Sequence, residues 1–151
     1  MPTPILTPAR KTFDLLVRVE TMLWNRCDDE LGRRTGLRLG RLEVLRIVAA
    51  VDQCRVGDIA SQLQITVGAV SKLVDRLEAS GHCRRQPNPD DRRSSVISVT
   101  DQGRAALAEA EGVIDPLLER CLVAANLNHL NAALAHIEQA LSQGVEPVPA
   151  A

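Results

Sequence analysis

The sequence predicts a mainly α fold with a small β wing: six helices, with a helix-turn-helix followed at once by a hairpin. Three observations carry this. The segment from Val56 to Arg104 reads VGDIASQLQITVGAVSKLVDRLEASGHCRRQPNPDDRRSSVISVTDQGR, in which a short helix, a tight turn, a second helix and an Arg-studded hairpin follow without a gap. Apolar residues recur at helical spacing through both ends of the chain. Hydrophobic residues make up 45% of the 151 while aromatics make up 1%, so the core must be aliphatic. A chain of this length buries a core without metals or disulfides, and one domain spanning 1–151 is the expectation.

The elements follow in order. Met1 to Thr7 is Pro-rich and reads as extended. From about Pro8 to Arg34, Phe13, Leu16, Val17, Val19, Leu23, Trp24, Cys27 and Leu31 form the apolar side of one long helix, which Thr35-Gly36 ends. Leu39 to Val51 is a second helix, with Leu42, Leu45, Ile47, Val48 and Val51 inward. After a short extended link from Gln53 to Val56, Asp58 to Leu63 is a third, with Ile59, Ala60 and Leu63 on its apolar side. Gln64-Ile65 turns the chain, Thr66 is a good N-cap, and Val67 to Ser80 is the fourth helix. Gly81 stands where left-handed geometry ends a helix.

Cys83 to Gln86 and Ser95 to Val99 read as two strands around the turn formers Pro87-Asn88-Pro89-Asp90-Asp91. Thr100 can cap a fifth helix from Asp101 to about Val123, where Pro116 removes one donor and predicts a kink near Gly112. Asn126 to Leu141 is the sixth helix, and Gly144 to Ala151 a frayed tail. The terminal helices, about 8–34 and 101–143, flank a lobe at about 39–100.

Composition narrows the function. Net charge is −1, so any nucleic-acid affinity rests on local patches. Two exist: Arg33, Arg34, Arg38 and Arg41, and Arg84, Arg85, Arg92 and Arg93. Each could also be a solvated face, a reading the hairpin context weakens for the second. The near absence of aromatics argues against base stacking on single strands or RNA. Cys27, Cys54, Cys83 and Cys121 are scattered, with no paired Cys/His spacing and no secretory or membrane-spanning run. The expectation is a cytoplasmic protein with reduced thiols, no metal and no cofactor. His82, His129 and His136 form no ligand cluster, and Asp28-Asp29-Glu30 reads as solvated helix surface. No nucleophile–base pair or Gly-rich phosphate loop supports an enzyme.

On a wheel of the fourth helix, Val67, Val70, Leu73, Val74 and Leu77 cluster on one side. Gly68, Lys72 and Asp75 lie opposite, flanked by Ala69, Ser71 and Arg76. A major groove admits one helix, and the small Gly68 and Ala69 let its N-terminus approach. Ser71, Lys72 and Arg76 can reach base edges or phosphate, as can the cap at Thr66. A plain core helix shows the same wheel, but not with a turn-forming wing behind it. At the hairpin tip, Arg92 and Arg93 suit a narrow, negative minor groove. Asp91 could hold the Arg93 guanidinium in a bidentate pair, or the two could be an exposed pair of little consequence.

These residues resemble the MarR/SlyA family of bacterial winged-helix transcription regulators. Asp91-Arg92-Arg93, then Ser98-Val99-Thr100 and Gly103, are similar to its wing signature. Ile59-Ala60 with Leu63, Val70-Ser71, Leu77-Glu78 and Gly81 are similar to its helix-turn-helix, and Leu42 with Glu43-Val44-Leu45 to its second helix. The detailed match covers about a third of the chain. The resemblance implies a homodimer interlocked through the first, fifth and sixth helices and gripping one pseudo-palindromic duplex site. It also implies repression relieved by a small ligand bound between the dimer helices and the DNA lobe. Two residues depart from the pattern: Arg55 stands where Ser or Thr often opens the third helix, and Pro116 with Gly112 interrupts the fifth.

For the ligand, Trp24, Arg18 and Arg26 are the candidates, with Arg33 and Arg38 nearby, which suggests a small anionic or aromatic effector. Trp24 could instead be dimer-core packing. A thiol-based redox regulator is the alternative. It is disfavoured because peroxide-sensing relatives carry their cysteine nearer the start of the first helix, with tyrosines, and this chain has no tyrosine. Cys27, Cys54 and Cys121 read as small core residues, and Cys83 as wing sheet, with a lowered pKa only if exposed. A winged-helix module for protein–protein contact is a further alternative.

Overall fold

The computed structural model describes residues 7–144. The segments before Thr7 and after Gly144, expected to be extended and frayed, lie outside the described residues. The elements run α1 (Pro8–Thr35), α2 (Leu39–Ala50), α3 (Val56–Leu63), α4 (Val67–Ala79), β1 (Cys83–Pro87), β2 (Ser95–Val99), α5 (Asp101–Leu122) and α6 (Leu127–Ser142). Among the described residues, six helices and a two-stranded antiparallel wing are as the sequence predicts.

The boundaries have local causes. Thr7 and Thr66 each cap a helix through the side-chain oxygen, which accepts the N–H three residues on at 3.2 Å. Thr100 does the same for α5, accepting from Gly103 at 3.0 Å. Helix α3 starts two residues before the expected Asp58. Arg55 has no acceptor to offer as a cap, but the Asp58 carboxylate accepts the Arg55 N–H at 2.8 Å and fixes the start there. Helix α4 ends in a Schellman turn: His82 N–H donates to Leu77 O at 2.9 Å and Gly81 N–H to Glu78 O at 2.9 Å, with Gly81 at φ +75. Helix α5 is unbroken from Asp101 to Leu122 with Pro116 inside it.

The core lies in the lobe. Leu31, Leu42, Val44, Leu45, Ile59, Val70, Val74, Leu77 and Ile97 are buried and belong to one cluster. The lower half of α1 joins it through Cys27 and Leu31, against Ala110, Val113, Ile114 and Leu117 of α5. β2 is tied in by Ile97 N–H donating to Cys54 O at 2.8 Å, so the wing grows from the core. The upper part of α1 and all of α6 behave otherwise. Phe13, Leu16, Val17 and Trp24 are exposed, and α6 buries none of its side chains.

Two sequence expectations change here. In the acidic run, Asp29 is exposed as expected, but Asp28 is half-buried and engaged. Asp28 Oδ1 accepts the Leu39 N–H at 2.8 Å, and its other oxygen pairs with Arg38. Arg38, the residue before α2, offers no side-chain cap, so a carboxylate from α1 supplies the missing acceptor. Cys121 is exposed on α5 rather than a core residue, because the α5 face it occupies turns away from the cluster.

Candidate nucleic-acid interface

Helix α4 buries Val70, Val74 and Leu77 of the apolar side that its wheel predicts, whereas Val67 at its start is exposed. Val70, Val74 and Leu77 are fully buried, each contributing about 1.5–3 kcal/mol by leaving water. That anchoring leaves Thr66, Gly68, Ala69, Lys72 and Arg76 exposed and Ser71 half-buried. The turn into the helix is set by Gln64 at φ +55, with Ile65 N–H donating to Ala60 O at 3.2 Å. The first N–H groups of α4 therefore point outward, where an anion is favoured.

The wing is registered by Cys83 opposite Val99 and Pro87 opposite Ser95. Its tip is held from inside. The buried Asn88 donates from Nδ2 to Ser94 Oγ at 2.9 Å, and its Oδ1 accepts the Asp90 N–H at 3.0 Å. Asp91 accepts the Arg93 N–H through Oδ1 at 3.0 Å. This corrects the expected side-chain pair. Asp91 orients Arg93 through the main chain, an Asx turn, because the two-residue spacing brings the carboxylate onto the backbone amide. The guanidinium is left to point elsewhere, and Arg92 and Arg93 are both exposed.

The expected four-arginine wing patch divides. Arg84 Nε donates to Ser98 Oγ across the hairpin at 3.3 Å. Arg85 turns back onto α4, where it pairs with Asp75 at 2.7 Å and Glu78 at 2.8 Å. The Arg85 backbone N–H and then its guanidinium hold the Glu78 carboxyl below the usual glutamate range. Among the described residues no ion pair engages Lys72, Arg76, Arg92 or Arg93. Four cations without an ion pair among the described residues, on one helix and one hairpin tip, can engage a polyanion.

The first basic patch is committed internally. Arg33 and Arg34 pair with Glu30, Arg38 with Asp28, and Arg41 donates to Gly36 O at 3.4 Å. Close by, a cavity of about 790 Å³ opens between α1, α2, α5 and α6. Leu16, Leu23, Trp24, Ile114, Leu118 and Leu130 wall it, with Glu20, Glu43 and Arg46 at its edges. Trp24 thus lies where the sequence places it. Arg18 and Arg26 do not: both are exposed on α1 and absent from this wall, and Arg26 borders a separate depression with Asp29 and Arg120. Arg46 is engaged by Glu43 at 3.4 Å and Glu111 at 3.7 Å. Cys83 is buried in the wing sheet, and its thiol is pushed up to about 11 by burial. Among the described residues no group of three His, Cys, Asp or Glu could hold a metal ion, and no helix is long and apolar enough to cross a membrane.

Residues 37–95, from the start of α2 to the second strand, match the MarR family model. That segment is similar to the MarR family. Over 77 residues the chain is 30% identical to the uncharacterized HTH-type transcriptional regulator YdgJ of Bacillus subtilis (strain 168), covering 51% of this chain and 47% of that one. The chain spans about half the length of the curated relatives it matches. Among solved structures, it is similar to a MarR-family transcriptional regulator from Streptomyces coelicolor in complex with DNA. The TM-score is 0.81 at 22% identity, over 98% of this chain and 95% of that one. It is also similar to CouR from Rhodococcus jostii RHA1 bound to p-coumaroyl-CoA, with TM-score 0.79 at 23% identity, over 95% and 100% of the two chains. At these identities the structural likeness establishes the MarR fold beyond the matched segment, including the terminal helices.

Sequence reading missed the joint at Gly103, where α5 meets the lobe. Thr100 Oγ1 donates to Gly81 O at 2.6 Å while Thr100 N–H donates to His82 O at 3.1 Å. A Cβ on Gly103 would meet the His82 backbone, with its carbonyl carbon at 2.8 Å. The Thr-x-x-Gly ending of the wing signature is therefore the close contact that seats α5 on the end of α4.

Proposed function

We propose that this chain is a MarR-family, sequence-specific double-stranded DNA-binding transcriptional regulator that acts as a homodimer and represses until a small ligand releases it. The observation that carries the DNA reading is the set of exposed cations, Lys72, Arg76, Arg92 and Arg93, left without an ion pair among the described residues while Arg85 and the α1–α2 arginines are paired. The DNA-bound state of the Streptomyces relative supports it. Selection from a random duplex pool should enrich a short inverted repeat, since two-fold related readers demand two half-sites. Binding should weaken steeply with salt, by about 0.9 log unit per log unit of salt for each phosphate neutralised. Arg93→Ala, Lys72→Ala and Arg76→Ala should each weaken binding to the enriched duplex. Parental affinity in all three would show that this surface does not read DNA.

Dimerisation is supported by the uncovered apolar faces of α1 and α6. Phe13 is 57% exposed and Ile137 43%, more than a solitary chain leaves to water in two adjoining helices. A folded monomer in sedimentation at micromolar concentration would exclude it. For the effector, the cavity wall favours an aromatic, mainly apolar molecule over an anion, because Arg18 and Arg26 are elsewhere and Arg46 is already held by two carboxylates. Such a ligand releases DNA only by binding the DNA-incompetent arrangement more tightly. Titration of a panel of aromatic acids and their neutral amides against Trp24 fluorescence and operator release tests this. A response confined to the acids would reverse the charge assignment.

A further inference from the structure

The guanidinium of Arg85 lies on three residues of α4 at once. Its Nη2 is 2.7 Å from Asp75 Oδ1 and donates to the Ser71 carbonyl at 3.4 Å. Its Nη1 donates to Glu78 Oε2 at 2.8 Å, and its backbone N–H donates to Glu78 Oε1 at 3.1 Å. Ser71, Asp75 and Glu78 lie four and three residues apart, one ridge of the helix facing β1. Arg85 is the less exposed member at 25%, whereas Asp75 is 64% exposed and Glu78 40%. Asp75 stands directly before Arg76 and three residues after Lys72, on the surface that would meet phosphate.

A carboxylate in that position works against a polyanionic ligand. Unpaired, Asp75 would oppose Arg76 beside it and Lys72 three residues before it, and Glu78 would oppose Arg76 two residues before it. We infer that Arg85 is a positioning residue for duplex recognition: it masks Asp75 and Glu78, so that α4 meets DNA with its cations unopposed, without itself touching the duplex. The role rests on the DNA-binding reading above. One guanidinium suits this task because its planar fork serves two carboxylates and a carbonyl in fixed geometry, which an ammonium does not. The same contact ties the first strand of the wing to the recognition helix, so the wing arginines keep their bearing relative to α4.

The experiment uses the full chain and the duplex it enriches from a random pool. Arg85→Met, checked for folding by circular dichroism and thermal melting, should bind that duplex about 10- to 100-fold more weakly, the cost of exposing like charge to a polyanion. The slope of log affinity against log salt should not fall by the ~0.9 that one lost phosphate contact would remove. Adding Asp75→Asn and Glu78→Gln to Arg85→Met should restore most of the loss, because the charges needing a mask are gone. If Arg85→Met does not fold, Arg85→Lys with and without Asp75→Asn replaces it, with a smaller loss and the same rescue expected. Parental affinity in the Arg85 variant, a slope lower by one phosphate contact, or no rescue by the neutral amides would each overturn the mask. A parent protein that enriches no duplex overturns the DNA reading and this role with it, whereas a binding parent with an unrescued variant overturns the role alone.

Discussion

Asp28, toward the C-terminal end of α1, accepts the backbone N–H of Leu39, the first residue of α2, at 2.8 Å. A helix start with no cap of its own borrows one from the long helix beside it, and the same carboxylate pairs with Arg38. Removing the acceptor should cost about 1–2 kcal/mol, as for other N-cap losses. Asp28→Ala is therefore expected to lower the urea midpoint clearly, and Asp28→Asn, which keeps an acceptor, by less than half as much. Equal losses would mean that the Arg38 pair, not the cap, carries the stabilisation.

Gly103 is the most constrained glycine by contact. A methyl group there would press on the His82 backbone and sit 2.8 Å from Val99 Cγ1, neither of which is the free end of a flexible chain. Gly103→Ala should cost about 3 kcal/mol or more, the upper end of overpacking effects. Gly112→Ala meets nothing within 4 Å and should instead stabilise α5 by about 0.5–1 kcal/mol through helix propensity. Thermal unfolding of the two variants side by side checks the contrast, and a mild Gly103→Ala would show that α5 can slide off His82.

Helix order and the caps at Thr66, Thr100 and Gly81 were legible because they depend on neighbours within one turn. So was the buried stripe of α4, since Val70, Val74 and Leu77 repeat with the helix period. The partners of Asp28, Arg85 and Arg38 were not legible. Each bond crosses between elements whose relative placement is set by packing, and charge patterning alone counts Arg85 with the DNA-facing cations. Asp91 was half legible: the Asx geometry is local, but a side-chain reading of Asp-x-Arg points to the guanidinium rather than the amide. The long apolar face of α1 reads as core in the sequence, yet much of it is uncovered in one chain, because periodicity identifies a face to be buried without identifying what buries it.

His82 gives the lobe a pH dependence near neutrality. Burial first, and then the nearby positive charge of Arg41, hold its pKa below the ordinary histidine value of about 6.5. Its Nδ1 lies 3.0 Å from Ser80 Oγ. Between the lowered folded value and about 6.5, the unfolded chain binds more protons than the folded one, so stability rises with pH in that window. As pH falls from about 6.5 through the folded value, the contribution is lost, and below it the loss is complete. Glu78 acts lower on the scale. Its stabilisation is present above about 4.3 and is lost as pH falls through its depressed folded value. Urea midpoints from pH 5 to 8 should rise in the parent and flatten in His82→Gln. An unchanged slope would mean that His82 does not carry the dependence.

Thiol reactivity separates the buried cysteines from the exposed one. Burial pushes Cys54 and Cys83 up to about 11, and burial also raises Cys27, with Cys121 and Glu43 adding to the shift. The thiolate is the reactive form, so at pH 7.5 these three carry little of it, and all three are buried, Cys27 at the wall of the cavity beside α1. Their sulfurs are further engaged: Cys83 Sγ lies 3.8 Å from Val74 O and Cys54 Sγ 3.8 Å from Arg55 O. In the folded protein, alkylation should therefore modify Cys121 first, with Cys27, Cys54 and Cys83 reacting only after denaturant is added. Peptide mapping of the alkylated protein at successive times reads the order directly. If Cys54 or Cys83 reacts as fast as Cys121 at low reagent, the lobe opens in the native state far more often than its packing implies. A peroxide-driven release of DNA that survives Cys121→Ser would then point to one of them as a redox switch.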